Sequence, residues 1–96
     1  MATHDSTINR DSQAYWNKRA ETFTRFATGE YDRWLLDLLA LEAGEEVLDM
    51  GCATGTLAVP LARAGHRVHG CDFAEAMLAI LDERAAAEHL PITCHL

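Results

Sequence analysis

Two acids and a run of small residues carry the chemistry that this chain displays. Asp49 closes the apolar stretch Val47-Leu48 and is followed by Gly51, Ala53 and Gly55 at alternate positions, in the run VLDMGCATGTLA. A backbone that turns sharply out of a strand and lets a ligand lie against its amides has no room for Cβ atoms at the points of contact. Loops that hold a pyrophosphate follow a different pattern, G-x-G-x-x-G, with no acid two residues ahead of the first glycine. An ionised Asp49 repels a phosphate. It attracts a cation, by about 1–4 kcal/mol at a few ångströms in a partly dry cleft. The second acid, Asp72, ends the next expected strand, where carboxylates of a parallel α/β sheet accept hydrogen bonds from a ribose diol. Together they predict a pocket for a nucleoside with a cationic, phosphate-free arm.

The elements that must position these acids follow from periodicity. Residues 1–10 read as a polar tail, with Asn9, Asp11 and Ser12 as candidate caps, and residues 11–45 as a helical segment. Within it Tyr15, Trp16, Phe23 and Phe26 recur at a helical period, from Asp11 to about Thr28, with Gly29 as the terminator. A second helix, Tyr31 to about Leu41, places Trp34, Leu35, Leu38, Leu39 and Leu41 on one side, predicting that this side packs. Trp16, Phe23, Phe26 and Trp34 read as packing residues.

Residues 46–96 alternate strand and helix. Strands are expected at Val47-Leu48, at His66 to Cys71 and at Ile92 to Leu96, with helices from Thr56 to Ala64 and from Ala74 to about His89. Pro60 is tolerated only in a first turn, which puts the start of its helix near residue 57. Two right-handed βαβ units make the strands parallel, in the order 3-2-1, with Asp49 and Asp72 on the ligand-binding edge. The fold class is α/β, a Rossmann-like parallel sheet preceded by two helices.

At these residues the chain resembles the class I S-adenosylmethionine-dependent methyltransferases, whose first motif is D-x-G-x-G-x-G. Asp49-Met50-Gly51-Cys52-Ala53-Thr54-Gly55 matches it, with Ala53 in place of the middle glycine. The ribose-binding acid of the family matches Asp72. The run that follows it in many small-molecule members matches Phe73 to Leu78, keeping Met77-Leu78 but with Ala74 for a serine, a change that removes a helix cap worth about 1 kcal/mol. Tyr15-Trp16-Asn17-Lys18-Arg19-Ala20 resembles a segment that folds over the cofactor.

The resemblance implies S-adenosylmethionine as cofactor and methyl transfer to a small-molecule acceptor. It implies cofactor contacts from Asp49, Gly51, Cys52, Ala53, Gly55, Asp72, Phe73 and Met77, with Tyr15 and Arg19 closing on the methionine end. It also implies that residues 46–96 are the first half of a seven-stranded fold, with the acceptor pocket and catalytic groups after residue 96. The first strand is then an edge, which predicts self-association or pairing with further chain. Two alternatives stand beside this reading: a nicotinamide-dependent dehydrogenase with a degraded loop, and a non-catalytic nucleoside-binding or assembly module.

Composition narrows the partners. The 96 residues carry a net charge of −7 with no basic block, which argues against nucleic acid. The greasiest run, Trp34 to Leu41, is too short to span a bilayer and is broken by Asp37. Three cysteines, Cys52, Cys71 and Cys94, match no disulfide or zinc spacing and read as free thiols of a cytoplasmic protein. His66 and His69 are three apart in a strand and face opposite ways, so no metal is expected.

Overall fold

A computed structural model describes residues 6–26 and 32–96 of the chain. Its elements are α1 (Ser6–Phe26), α2 (Asp32–Leu39), β1 (Glu46–Met50), α3 (Ala58–Arg63), β2 (Arg67–Cys71), α4 (Glu75–Glu88) and β3 (Ile92–His95). The expected helix terminator Gly29 and the helix start at Tyr31 lie outside the described residues, as do residues 1–5 of the expected tail.

The strands form one parallel sheet in the order β1-β2-β3, with β2 in the middle. Val47 lies beside Val68 and Val68 beside Ile92. These residues face α3 and α4, where Val59, Leu61, Ala62, Leu78 and Leu81 complete the core with Cys52 and Ala58. Alternation sends Glu46, Leu48 and Met50 to the opposite face, which is open, with Met50 78% exposed. Among the described residues β1 pairs on one side only.

Pro60 is the third residue of α3, where its missing N–H belongs to the first turn and interrupts no bond. The two buried faces are held further by Arg63, whose guanidinium meets the Glu88 carboxylate through two bonds of 2.7 and 2.6 Å. No helix among the described residues is long and apolar enough to cross a membrane.

Three expectations are corrected. The first helix begins at Ser6, so residues 6–10 are helical and Asn9, Asp11 and Ser12 lie inside the helix instead of capping it. Residues 7–10 are all exposed, and solvent-facing positions need no apolar period to be helical. The second helix ends at Leu39, because Ala40 turns left-handed with φ of 47°. The side expected to pack is largely open: Trp34, Leu38 and Leu39 are exposed, while the core is reached by Leu41, past the helix end, and by Leu36, which is not among the residues expected on that side.

Candidate functional site

The site grows from the end of β1. Met50 is the last strand residue, and the backbone N–H groups of Gly51 and Cys52 both donate to the Cys71 carbonyl at the end of β2, at 2.7 and 2.9 Å. This fork bends the chain back over the sheet. Gly51 takes φ of 76°, a left-handed conformation costly for any residue with a Cβ, and the space a Cβ would enter there is open. Gly55 has a second reason to be glycine. A Cβ on it would lie 2.4 Å from Leu81 Cδ1 and 2.9 Å from Val59 Cγ2, so the loop can sit on the core only without one.

Ala53, the departure from the glycine pattern, also turns left-handed, with φ of 51°. The cost of its methyl group is therefore conformational. The neighbouring Asp72 holds it in place: Oδ2 accepts from the Ala53 N–H at 2.9 Å, while Oδ1 accepts from the Ala74 N–H at 2.9 Å. One carboxylate thus joins the loop after β1 to the start of α4. Each of its oxygens keeps a second acceptor position for a ligand.

Asp49 lies half-buried beneath this loop. Burial, and then the negative charge of Asp72, hold its carboxyl above the ordinary carboxylate value. Ionising both acids here is unfavourable, and a cation brought near them relieves that repulsion. Cys52 turns inward. It is 3% exposed, and burial followed by the charges of Asp49 and Asp72 pushes its thiol up to about 12. Its sulfur lies 2.9 Å from where a Cβ on Gly70 would be, which explains a glycine in the middle of β2.

A hollow of about 290 Å³ opens beside the loop, lined by Trp16, Phe23, Gly51, Ala53, Asp72, Phe73 and Met77. A second, of about 360 Å³, shares Gly51, Asp72 and Phe73 and adds Met50, Cys71 and Leu96. The two lie at the lower end of small-ligand pockets, about 300–1,000 Å³. Of the residues expected to hold a cofactor, five line the first hollow: Gly51, Ala53, Asp72, Phe73 and Met77. Asp49, Cys52 and Gly55 do not line it: Cys52 is part of the buried core and Gly55 rests on Leu81 and Val59.

Tyr15 and Arg19 line neither of these two hollows, although Arg19 lines a neighbouring one of about 480 Å³ with Trp16, Lys18, Thr22 and Phe23. The Arg19 guanidinium carbon sits 3.6 Å from the centroid of the Tyr15 ring and Nη1 reaches the Tyr15 carbonyl at 3.4 Å, so the two occupy each other on the surface of α1. The helix instead presents Trp16 and Phe23, whose rings meet edge to face with centroids 6.2 Å apart. Residues read as packing are thus the wall of the hollow. A one-residue step along a helix turns a side chain by about 100°, which is why the motif was legible and its inward side was not.

Three further residues escaped the sequence reading. Gln13 donates to the Phe73 carbonyl, Asn17 Oδ1 accepts from the Ala76 N–H at 2.8 Å, and Arg84 Nη1 donates to the Thr54 carbonyl at 2.7 Å. Each bond spans 30 or more residues of chain, and no local pattern announces such partners. Among the described residues no group of three or more His, Cys, Asp or Glu is placed to hold a metal.

The family described as methyltransferase domain matches residues 47–96, from the first residues of β1 through β3. The chain belongs to the class I S-adenosylmethionine-dependent methyltransferases. Relatives within that family include human glycine N-methyltransferase, 39% identical over 69 residues that make up 71% of this chain and 23% of that protein. Malonyl-[acyl-carrier protein] O-methyltransferase of Serratia marcescens is 31% identical over 93% of this chain and 36% of its own. Among methyltransferases of known structure, Haemonchus contortus phosphoethanolamine N-methyltransferase 2 in complex with S-adenosyl-L-methionine superposes with a TM-score of 0.56 and 32% identity, over 62% of this chain and 14% of that one. The chain therefore spans between about a quarter and a third of the length of these curated methyltransferases. Membership in the methyltransferase family removes the nicotinamide-dependent dehydrogenase from the alternatives.

Proposed function

We propose that this chain holds S-adenosylmethionine in the hollow between the β1 loop, Asp72 and α1, for methyl transfer to a small-molecule acceptor. The observation that carries the reading is the convergence of Gly51, Ala53, Asp72, Phe73 and Met77 on one hollow in a methyltransferase chain. Glycine and ubiquinone-biosynthesis methyltransferases among the relatives support a small acceptor.

The residues present suit the cofactor. Asp72 offers carboxylate oxygens to a ribose diol, and the open side of Gly51 lets a ligand approach the backbone. Asp49 and Asp72 give the site a negative potential that favours a cationic arm over a phosphate, and Trp16, Phe23, Phe73 and Met77 supply apolar surface that excludes water. The bound sulfonium supplies an activated methyl group for in-line displacement. The work left to the protein is alignment, and orientation alone accounts for several kcal/mol of barrier lowering, about 7–11 in well-oriented cases.

In this reading Cys52 and Gly55 shape the loop that holds the cofactor, and Tyr15 and Arg19 close on its methionine end from α1. Residues 46–96 form the cofactor-binding part and residues 11–45 a helical cover, within a seven-stranded sheet of order 3-2-1. The open side of β1 is where self-association or further strands would add. Three cysteines, all free, fit a reducing cytoplasm.

Calorimetric titration with S-adenosylhomocysteine, with NAD as the control, tests the reading. Saturable binding of the former and none of the latter supports it. Failure of S-adenosylhomocysteine to bind a protein that carries these residues and melts cooperatively would retire it.

A further inference from the structure

Helix α4 starts without a cap of its own. Its N-cap residue, Ala74, has no side-chain acceptor, and a bare helix end leaves backbone donors unsatisfied. The donor left open at the second helical position, the Ala76 N–H, is taken by Asn17 Oδ1 from the middle of α1 at 2.8 Å. This is the bond that a serine or aspartate at position 74 would ordinarily make locally. Here it is made across 59 residues of chain, by a different helix.

Around this bond the two helices are in close contact. Ala20, Ala74 and Met77 are buried together, at 2%, 0% and 2% exposure, and the small side chains of the alanines let the helices approach. One turn before Asn17, Gln13 donates to the Phe73 carbonyl. Phe73 and Met77 line the hollow from the α4 side, while Trp16, adjacent to Asn17, and Phe23 line it from α1. The hollow exists only while the two sides are held together.

We infer that Asn17 is a positioning residue that latches α1 to the start of α4 and so builds the cofactor hollow, an inference that rests on the proposed role of that hollow. The absence of a local cap at Ala74 makes the helix end depend on α1. Docking of α1 and completion of α4 are then one event, and a ligand that fills the hollow strengthens both. Asn17 touches the helix end and not the reacting atoms.

The test uses the whole chain with Trp34 replaced by phenylalanine, so that Trp16 is the sole fluorescent reporter of α1. Trp16 is 39% exposed with α1 docked, so Asn17→Ala is expected to increase its acrylamide quenching above the wild-type level and to weaken S-adenosylhomocysteine binding by about threefold to tenfold, the loss attributable to one such hydrogen bond. Asn17→Asp, which keeps an acceptor oxygen, is expected to retain both properties. Adding Ala74→Ser to Asn17→Ala restores the cap locally, so it should recover melting temperature without recovering Trp16 protection or affinity. Recovery of all three by Ala74→Ser would overturn the latch, since Asn17 would then be a cap and nothing more; so would an Asn17→Ala protein with unchanged quenching and affinity. If the wild type binds no S-adenosylhomocysteine while quenching still follows Asn17, the latch stands and the cofactor reading fails.

Discussion

Asp72 and Ala53 are joined by a 2.9 Å hydrogen bond from the alanine amide to the carboxylate, and that alanine is held with a positive φ. The acid expected to bind a ribose is therefore also a structural tie between the loop and α4. Replacing it removes acceptors from two backbone donors, so Asp72→Ala should destabilise the ligand-free protein by about 1–3 kcal/mol, as well as weakening cofactor binding. Urea denaturation without ligand measures the first effect. An unchanged midpoint would show that the tie contributes nothing.

Asp49 shows the opposite balance. Its carboxyl titrates above the usual value of 3.8, chiefly through burial and secondarily through Asp72. A carboxyl raised in the folded state holds its proton more tightly there than in the unfolded chain, so folding loses stability as pH rises through that interval. Asp49→Asn should accordingly raise the melting temperature at pH 7 and make little difference near pH 3, where both forms are neutral. The same substitution should weaken binding of the cationic S-adenosylmethionine more than that of the uncharged S-adenosylhomocysteine sulfur. Equal losses for both ligands would deny Asp49 its electrostatic role.

The loop residues separate two reasons for being small. Ala53→Gly relieves a left-handed alanine and should stabilise the fold by up to about 1 kcal/mol. Gly55→Ala should cost about 2 kcal/mol or more, because its Cβ would strike Leu81 and Val59 as well as adopt an unfavourable φ. Paired chemical denaturation curves decide both signs.

The legibility of these features follows from how far apart their causes lie in the chain. The βαβ alternation, the acid at the end of β1 and the glycine spacing are local patterns, and the elements they predict are present within a residue or two. Asp72 was legible as an acid at a strand end, but its bonds to Ala53 and Ala74 were not. Trp16 and Asn17 could not be ranked above Tyr15 and Arg19, because which side of α1 faces inward is decided by α4, through Ala20, Ala74 and Met77. Trp34 was misjudged for the related reason that an apolar helix side predicts burial only if a neighbour exists to cover it.

Thiol chemistry gives a further check. Cys52 and Cys94 are both pushed up to about 12, in each case first by burial. The thiolate is the reactive form, so both should alkylate far more slowly in the folded protein than in urea at pH 8. Rapid labelling of Cys52 by iodoacetamide, mapped by mass spectrometry, would show that the loop opens readily.

The sheet order has a kinetic consequence. Each strand pairs with the one that precedes it, and partners such as Val47, Val68 and Ile92 are separated by only one helix and its turns. Every pairing closes a single βαβ crossover, so no strand waits for a segment beyond the next one, while parallel pairing itself is slower than a hairpin's. Chains emerge from the ribosome at about 5–20 residues per second, so β1, α3 and β2 leave it ahead of β3 and can pair in that order. The β1-to-β3 unit is thus suited to forming during translation, ahead of any chain that follows it.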